Sequence, residues 1–129
     1  ANTIVCVDHW QGDEACGRED TLEEFRRNMR ELGSDCQILP VVGRLELALP
    51  LLNLAAFDLV FYDADHTYAS TRNGLGLLAK HGLRKSAVVA CHDYREGYDG
   101  VVQAVQEFAN RTYRTIRTAG SIAVLEYPR

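Results

Sequence analysis

Three short polar segments carry the residue types that nucleotide-binding, metal or acid–base chemistry needs: Asp8-His9-Trp10, Asp63-Ala64-Asp65-His66 and His92-Asp93-Tyr94. Each follows an apolar, β-rich run. Asp8 could accept two hydrogen bonds from a ribose diol, as strand-end carboxylates do in nucleotide-binding α/β folds. It could equally close a turn, which aspartate favours. Trp10 could stack on an adenine or cover the core, and His9 is a loop residue of the same strand end. Asp63 and Asp93 end consecutive strands, and neighbouring strands lie about 4.8 Å apart. Two carboxylates that close repel unless a cation sits between them or one is protonated. Oxygen donors suit Mg²⁺, Mn²⁺ or Ca²⁺, and His92 would bias the set toward a softer transition metal. Asp63, His92 and Asp93 are therefore candidate ligands; the plain alternative is that these acids cap the following helices, which suits Asp65 best. Side chains alternate along a strand, so His92 and Asp93 share a site only if the chain has already turned there. His66 stands at a helix start, and histidine is a side chain suited to taking a proton from a substrate hydroxyl. It is the candidate catalytic base, or else a surface or capping residue. Tyr94, Tyr98, Gly97 and Gly100 form an aromatic segment that could close over a substrate or simply pack as a loop.

The elements that must position these groups alternate between strand and helix. Strands are expected at residues 3–7, 36–42, 57–62 and 87–91, with Pro40 demoting the second to an edge or truncating it. Leu22, Phe25, Met29 and Leu32 share one helical face, with Asp20-Thr21-Leu22-Glu23 as the start and Gly33 as the stop. A Leu-rich helix is expected over 45–54, broken or restarted at Pro50. Another runs from Thr67 to Lys80 with Tyr68, Thr71, Leu75 and Leu78 inward, and a further one carries Val101, Ala104, Val105 and Phe108. Segments 113–117 and 122–126 around Ala119-Gly120 read as an antiparallel hairpin. Continuously apolar strands between helices define an α/β, Rossmann-like fold: a mainly parallel sheet, helices on both faces and a C-terminal antiparallel hairpin. In such sheets ligands bind beyond the carboxyl ends of the strands, so the three polar segments should line one rim.

A chain of 129 residues fits a single domain spanning 1–129. Fourteen Lys and Arg against eighteen Asp and Glu give a net charge of −4, which argues against nucleic acid as the main partner. No apolar run approaches a membrane span. Cys6, Cys16, Cys36 and Cys91 show no Cys-x-x-Cys spacing. Cys6 and Cys91 read as small core residues and Cys16 as an exposed loop residue, and a cytoplasmic location with reduced thiols is expected. The chain opens at Ala1 rather than Met and enters a strand within two residues, which suggests a piece of something longer.

The stretch from Phe57 through Asp63-Ala64-Asp65-His66-Thr67-Tyr68 resembles the segment after the fourth strand of class I S-adenosylmethionine-dependent methyltransferases. Residues 87–94 and 100–108 are similar to the small sugar- and natural-product-modifying O-methyltransferase branch. The resemblance covers most of the chain, from Thr3 to Glu126. It implies that Asp8, with His9 and Trp10, holds the ribose end of S-adenosylmethionine, that Gly43 and Arg44 lie near its adenine, and that Asp63 borders the cofactor and ligates a metal. His92 and Asp93 would complete the site for a divalent ion, Mg²⁺ or Mn²⁺. His66 stands where such enzymes carry a lysine base. The chemistry would be in-line methyl transfer to a small-molecule or sugar hydroxyl made nucleophilic by metal and base. The family's first strand and its Gly-rich turn have no counterpart here, for no Gly-x-Gly follows any strand. That strand normally separates the ones ending at Asp8 and Asp63, so those two should pair directly or be bridged by another chain, as in a homo-oligomer. Two other readings compete: a non-catalytic methyltransferase-fold module that binds a partner or assembles, and a phospho-receiver-like domain. The latter needs two acids ending its first strand and a lysine ending a later one, where this chain has Asp8-His9 and His92.

Overall fold

Strand and helix alternate along the chain as the apolar pattern requires. The computed structural model describes residues 2–12, 17, 20–33 and 35–128. The chain divides into two compact units, Ala1–Leu51 and Leu52–Arg129.

In the first unit, β1 (Thr3–Asp8) and β2 (Gln37–Val42) pair in parallel, Thr3 opposite Gln37 and Asp8 opposite Val42. Pro40 lies within β2 without truncating it. A two-stranded sheet has only edge strands, where a missing N–H is tolerated. Helix α1 (Leu22–Leu32) carries Glu23 and Glu24 in its first turn, where the helix dipole favours acids. The Asp20 carboxylate accepts from Leu22 N at 3.1 Å, and Gly33 ends the helix at φ +56°. No residue of α1 is buried. The Leu-rich helix is much shorter than its composition suggests. Helix α2 stops after Leu45–Ala48 and tightens into a 3₁₀ turn over Leu49–Leu51, because Pro50 has no N–H to continue the ladder.

In the second unit the strand order is β3 (Leu59–Tyr62), β4 (Val88–Cys91), β6 (Ile122–Glu126), β5 (Thr115–Ala119). β3 and β4 are parallel, Tyr62 opposite Cys91, and the other two pairings are antiparallel. The mainly parallel sheet expected from the sequence is thus two sheets, one parallel and one mixed. Among the described residues β1 is paired with β2 and β3 with β4, rather than β1 with β3.

Helix α3 (Tyr68–Lys80) begins at Thr67, whose hydroxyl accepts from Ser70 N at 3.3 Å. It buries Thr71, Gly74, Leu75 and Leu78, while Tyr68 is only half-buried. Gly74 lies directly against the Tyr62 ring, where a Cβ would collide, so α3 can approach β3 closely. Helix α4 (Asp99–Arg111) buries Val101, Ala104, Val105, Phe108 and Ala109. With Val89, Cys91, Ala123 and Leu125 these form the core, each large side chain contributing about 1.5–3 kcal/mol on burial. β5 starts at Thr115 rather than Tyr113, because Tyr113 adopts φ +57° just past the end of α4. The next residue, Arg114, is buried and donates to Ala87 O at 2.5 Å and Arg84 O at 3.2 Å, tying β5 to the start of β4. Cys6 and Cys91 are free thiols. Burial pushes the Cys91 thiol up to about 12, so it acts as the small core residue expected, and Cys16 lies outside the described residues. Among those residues no helix is long and apolar enough to cross a membrane.

Candidate active site

The parallel pairing of β3 with β4 sets their carboxyl ends side by side. Asp63 follows Tyr62, and His92 and Asp93 follow Cys91 directly opposite. His92 N still continues the ladder to Tyr62 O at 3.0 Å. One residue later the chain turns, with Asp93 at φ +55°. This turn meets the condition set by strand alternation, and it lets His92 and Asp93 face one site. The Asp93 side chain is only 7% exposed, against 45% for Asp63.

Its carboxylate is the hub. Oδ2 lies 2.8 Å from His66 Nε2 and 3.3 Å from His92 Nδ1, and Oδ1 lies 3.7 Å from Arg95 Nε. His92 Nδ1 is also 3.4 Å from Asp63 Oδ1. Asp63, His66 and Asp93 can each present a donor atom with all three within 4.8 Å of one another. A buried carboxylate costs several kcal/mol in desolvation unless charge or hydrogen bonds offset it. Among the described residues only Arg95 brings a permanent positive charge to the Asp63–Asp93 pair, so a divalent cation would suit the remaining negative charge.

His66 is held by the turn that starts α3. The Asp65 carboxylate accepts from Ser70 Oγ at 2.7 Å, from His66 N at 2.7 Å and from Thr67 Oγ1 at 3.4 Å. The Ser70 hydroxyl foremost, then the His66 and Thr67 groups, hold the Asp65 carboxyl below its ordinary pKa despite some desolvation. Asp65 is thus the helix-start residue that the sequence indicates. Thr71 Oγ1 fastens the same turn by donating to Asp65 O at 3.1 Å. Tyr98 meets the His66 ring edge-on at 5.5 Å, and the Arg95 guanidinium lies over Tyr98 at 5.0 Å. The aromatic segment after β4 therefore packs on the cluster.

Arg95 and Ser121 are the neighbours that sequence reasoning missed. Ser121 Oγ lies 3.4 Å from His92 Nε2, and its carbonyl accepts from Tyr94 N at 2.9 Å. Arg95 had a local signal, two residues past Asp93 in a polar segment. Ser121 had none, because only the antiparallel pairing of β6 with β4 brings the hairpin turn there.

The remaining candidates lie in the first unit. Asp8 Oδ1 accepts from Trp10 N at 2.8 Å, a closed local turn, and the carboxylate stays 53% exposed. His9 Nδ1 accepts from Gln11 N at 3.1 Å. Trp10 adopts φ +60°, is buried, and meets Phe25 at 4.5 Å between ring centroids. Its indole Nε1 has no hydrogen-bond partner among the described residues. Gly43 N donates to Asp8 O at 2.9 Å, which brings Gly43 to the end of β1, and Arg44 precedes α2 with an exposed side chain.

An α/β arrangement with polar residues converging beyond parallel strand ends defines the general class of small-ligand and nucleotide-binding folds. A family model described as "Methyltransferase domain" matches residues 1–94, and the chain belongs to that family. The fold is similar to that of the O-methyltransferase NovP, at 22% identity and a TM-score of 0.70 over 98% of this chain and 60% of that one. It is also similar to the apo structure of CalS11, a TDP-rhamnose 3'-O-methyltransferase in calicheamicin biosynthesis, at 18% identity and a TM-score of 0.66 over 98% of this chain and 59% of that one. The chain therefore spans about three-fifths of the length of each. No curated protein matches the sequence.

Proposed function

We propose that this chain is the catalytic part of an S-adenosylmethionine-dependent O-methyltransferase that acts, with help from a divalent cation, on a small-molecule or sugar hydroxyl. The observation that carries this reading is the convergence of Asp63, His66 and Asp93 beyond two adjacent parallel strands in a methyltransferase-family chain. The two similar O-methyltransferases support the choice of oxygen as the acceptor atom.

The residues present suit both groups. For the nucleoside end of the cofactor, Asp8 offers a half-exposed carboxylate, and Trp10 Nε1 is a buried donor that an acceptor on a ligand would satisfy. His9, Gly43 and Arg44 belong to the same strand ends of the first unit. When bound, S-adenosylmethionine supplies an electrophilic sulfonium methyl group. For the cation, Asp63 and Asp93 offer carboxylate oxygens, with His66 and His92 beside them. A bound cation would make a coordinated hydroxyl more acidic. The chain's own tasks are then to fix the acceptor oxygen at the Asp63–Asp93 pair and to keep an imidazole near the proton it must lose. Tyr98 abuts the His66 ring at the same edge, with Arg95 over Tyr98. A cytoplasmic location, and a homo-oligomer that covers the edge left by the missing strand, belong to the same proposal.

Calorimetric titration with S-adenosylhomocysteine, with and without Mg²⁺ or Mn²⁺, tests the reading. Saturable binding is expected. Absence of binding under every condition would sink the claim that this chain carries out methyl transfer.

A further inference from the structure

Resting on the metal-assisted reading above, we infer that His66 is a metal ligand rather than a free base, and that the site therefore prefers a first-row transition ion such as Mn²⁺ to Mg²⁺. Donors at neighbouring vertices of a six-coordinate ion with bonds of about 2.1–2.2 Å lie about 3.0 Å apart, and opposite donors about 4.3 Å apart. His66 Nε2 and Asp93 Oδ2 are 2.8 Å apart, close to one such edge. The donors of Asp63, His66 and Asp93 all lie within 4.8 Å of one another, so a shift of about half an ångström brings all three into one coordination sphere.

The imidazole is held for that task. Asp65 fixes the backbone of its turn through His66 N, and Tyr98 abuts the ring. Asp93, the most buried of the three, is the donor shared by both histidines. His92 has a different setting. Its Nδ1 bridges the two carboxylates at 3.3 and 3.4 Å, and its Nε2 points to Ser121 Oγ. That is the arrangement of an imidazole that orients ligating carboxylates from behind, a role such partners commonly play at metal sites. His66 thus takes the ligand role that the sequence suggests for His92, and His92 orients the carboxylates instead.

The consequence is selectivity. Mg²⁺ favours oxygen donors and keeps much of its water, whereas an imidazole nitrogen favours transition ions in the order of their general affinity for nitrogen. One well-held imidazole beside two carboxylates moves the site away from Mg²⁺.

The test uses the metal ions alone, on the whole chain, by electron spin-echo spectroscopy of bound Mn²⁺ and by competition with Mg²⁺. Wild type should show a nitrogen coupling on Mn²⁺ and bind Mn²⁺ at least about ten-fold more tightly than Mg²⁺. His66→Ala should lose the nitrogen coupling and most of the discrimination, and His92→Ala should keep the coupling. The half-exposed position of His66 lets its variant fold, which a metal-free melt checks. A nitrogen coupling that persists in His66→Ala, or Mg²⁺ binding as tight as Mn²⁺ in wild type, would overturn the inference while leaving metal-assisted transfer intact. Binding of neither ion would sink the metal-assisted reading and this inference with it.

Discussion

Asp8 and Asp93 both end parallel strands, yet they sit in opposite circumstances. Asp8 closes its own turn on Trp10 N and stays half exposed. Asp93 is almost fully buried, turns the backbone to φ +55°, and gathers His66, His92 and Arg95 around one carboxylate. The units around them differ in the same sense. Helix α1 of the first unit buries nothing, whereas α3 and α4 of the second bury nine residues between them. A strand-end acid by itself is cheap and common. What marks a site is the burial of that acid among groups brought from separate elements by a packed core.

The largest expected contrast is in the cores. Phe108→Ala should cost about 3–5 kcal/mol in urea denaturation, since its side chain is fully enclosed. Phe25→Ala should cost about 1 kcal/mol, because Phe25 is only half-buried against Trp10. Equal losses at the two positions would break the contrast.

A smaller effect sharpens the picture of the turn that carries His66. Asp65 has a folded pKa below its ordinary value, so its stabilisation is fully present above that ordinary value and disappears as pH falls through the lowered one. Asp65→Asn should therefore melt slightly below wild type near neutral pH and level with it at strongly acidic pH. A difference that is unchanged across that range would show that the carboxylate charge contributes nothing to the turn.

Much of this was legible in the sequence because the strands are short, apolar and followed at once by acids. The adjacency of Asp63 and Asp93 follows from two consecutive strands pairing in parallel, and the caps at Thr67 and Gly33 follow from local residue preference. Other features depend on tertiary packing that no local pattern encodes. The early end of α2 follows from Pro50, but the 3₁₀ turn after it does not. Tyr113 reads as a strand residue by type, yet it takes the left-handed position that ends α4. The pairing of β1 with β2 and of β3 with β4 joins residues far apart in the chain. Ser121 reaches His92 only because β6 runs antiparallel to β4, and the close contact of His66 with Asp93 requires both the Asp65 turn and the turn at Asp93.

The central claim is that the Asp63–Asp93 end, and not the Asp8 end, is the cation site. Thermal melting with and without saturating Mn²⁺ tests it most directly, on wild type, Asp93→Asn, Asp63→Asn and Asp8→Asn. An ion at about one hundred times its dissociation constant stabilises the folded state by about 2.7 kcal/mol. Wild type and Asp8→Asn should rise together on adding Mn²⁺, while Asp93→Asn and Asp63→Asn should not move. A full shift in Asp93→Asn, or its loss in Asp8→Asn, would contradict the account.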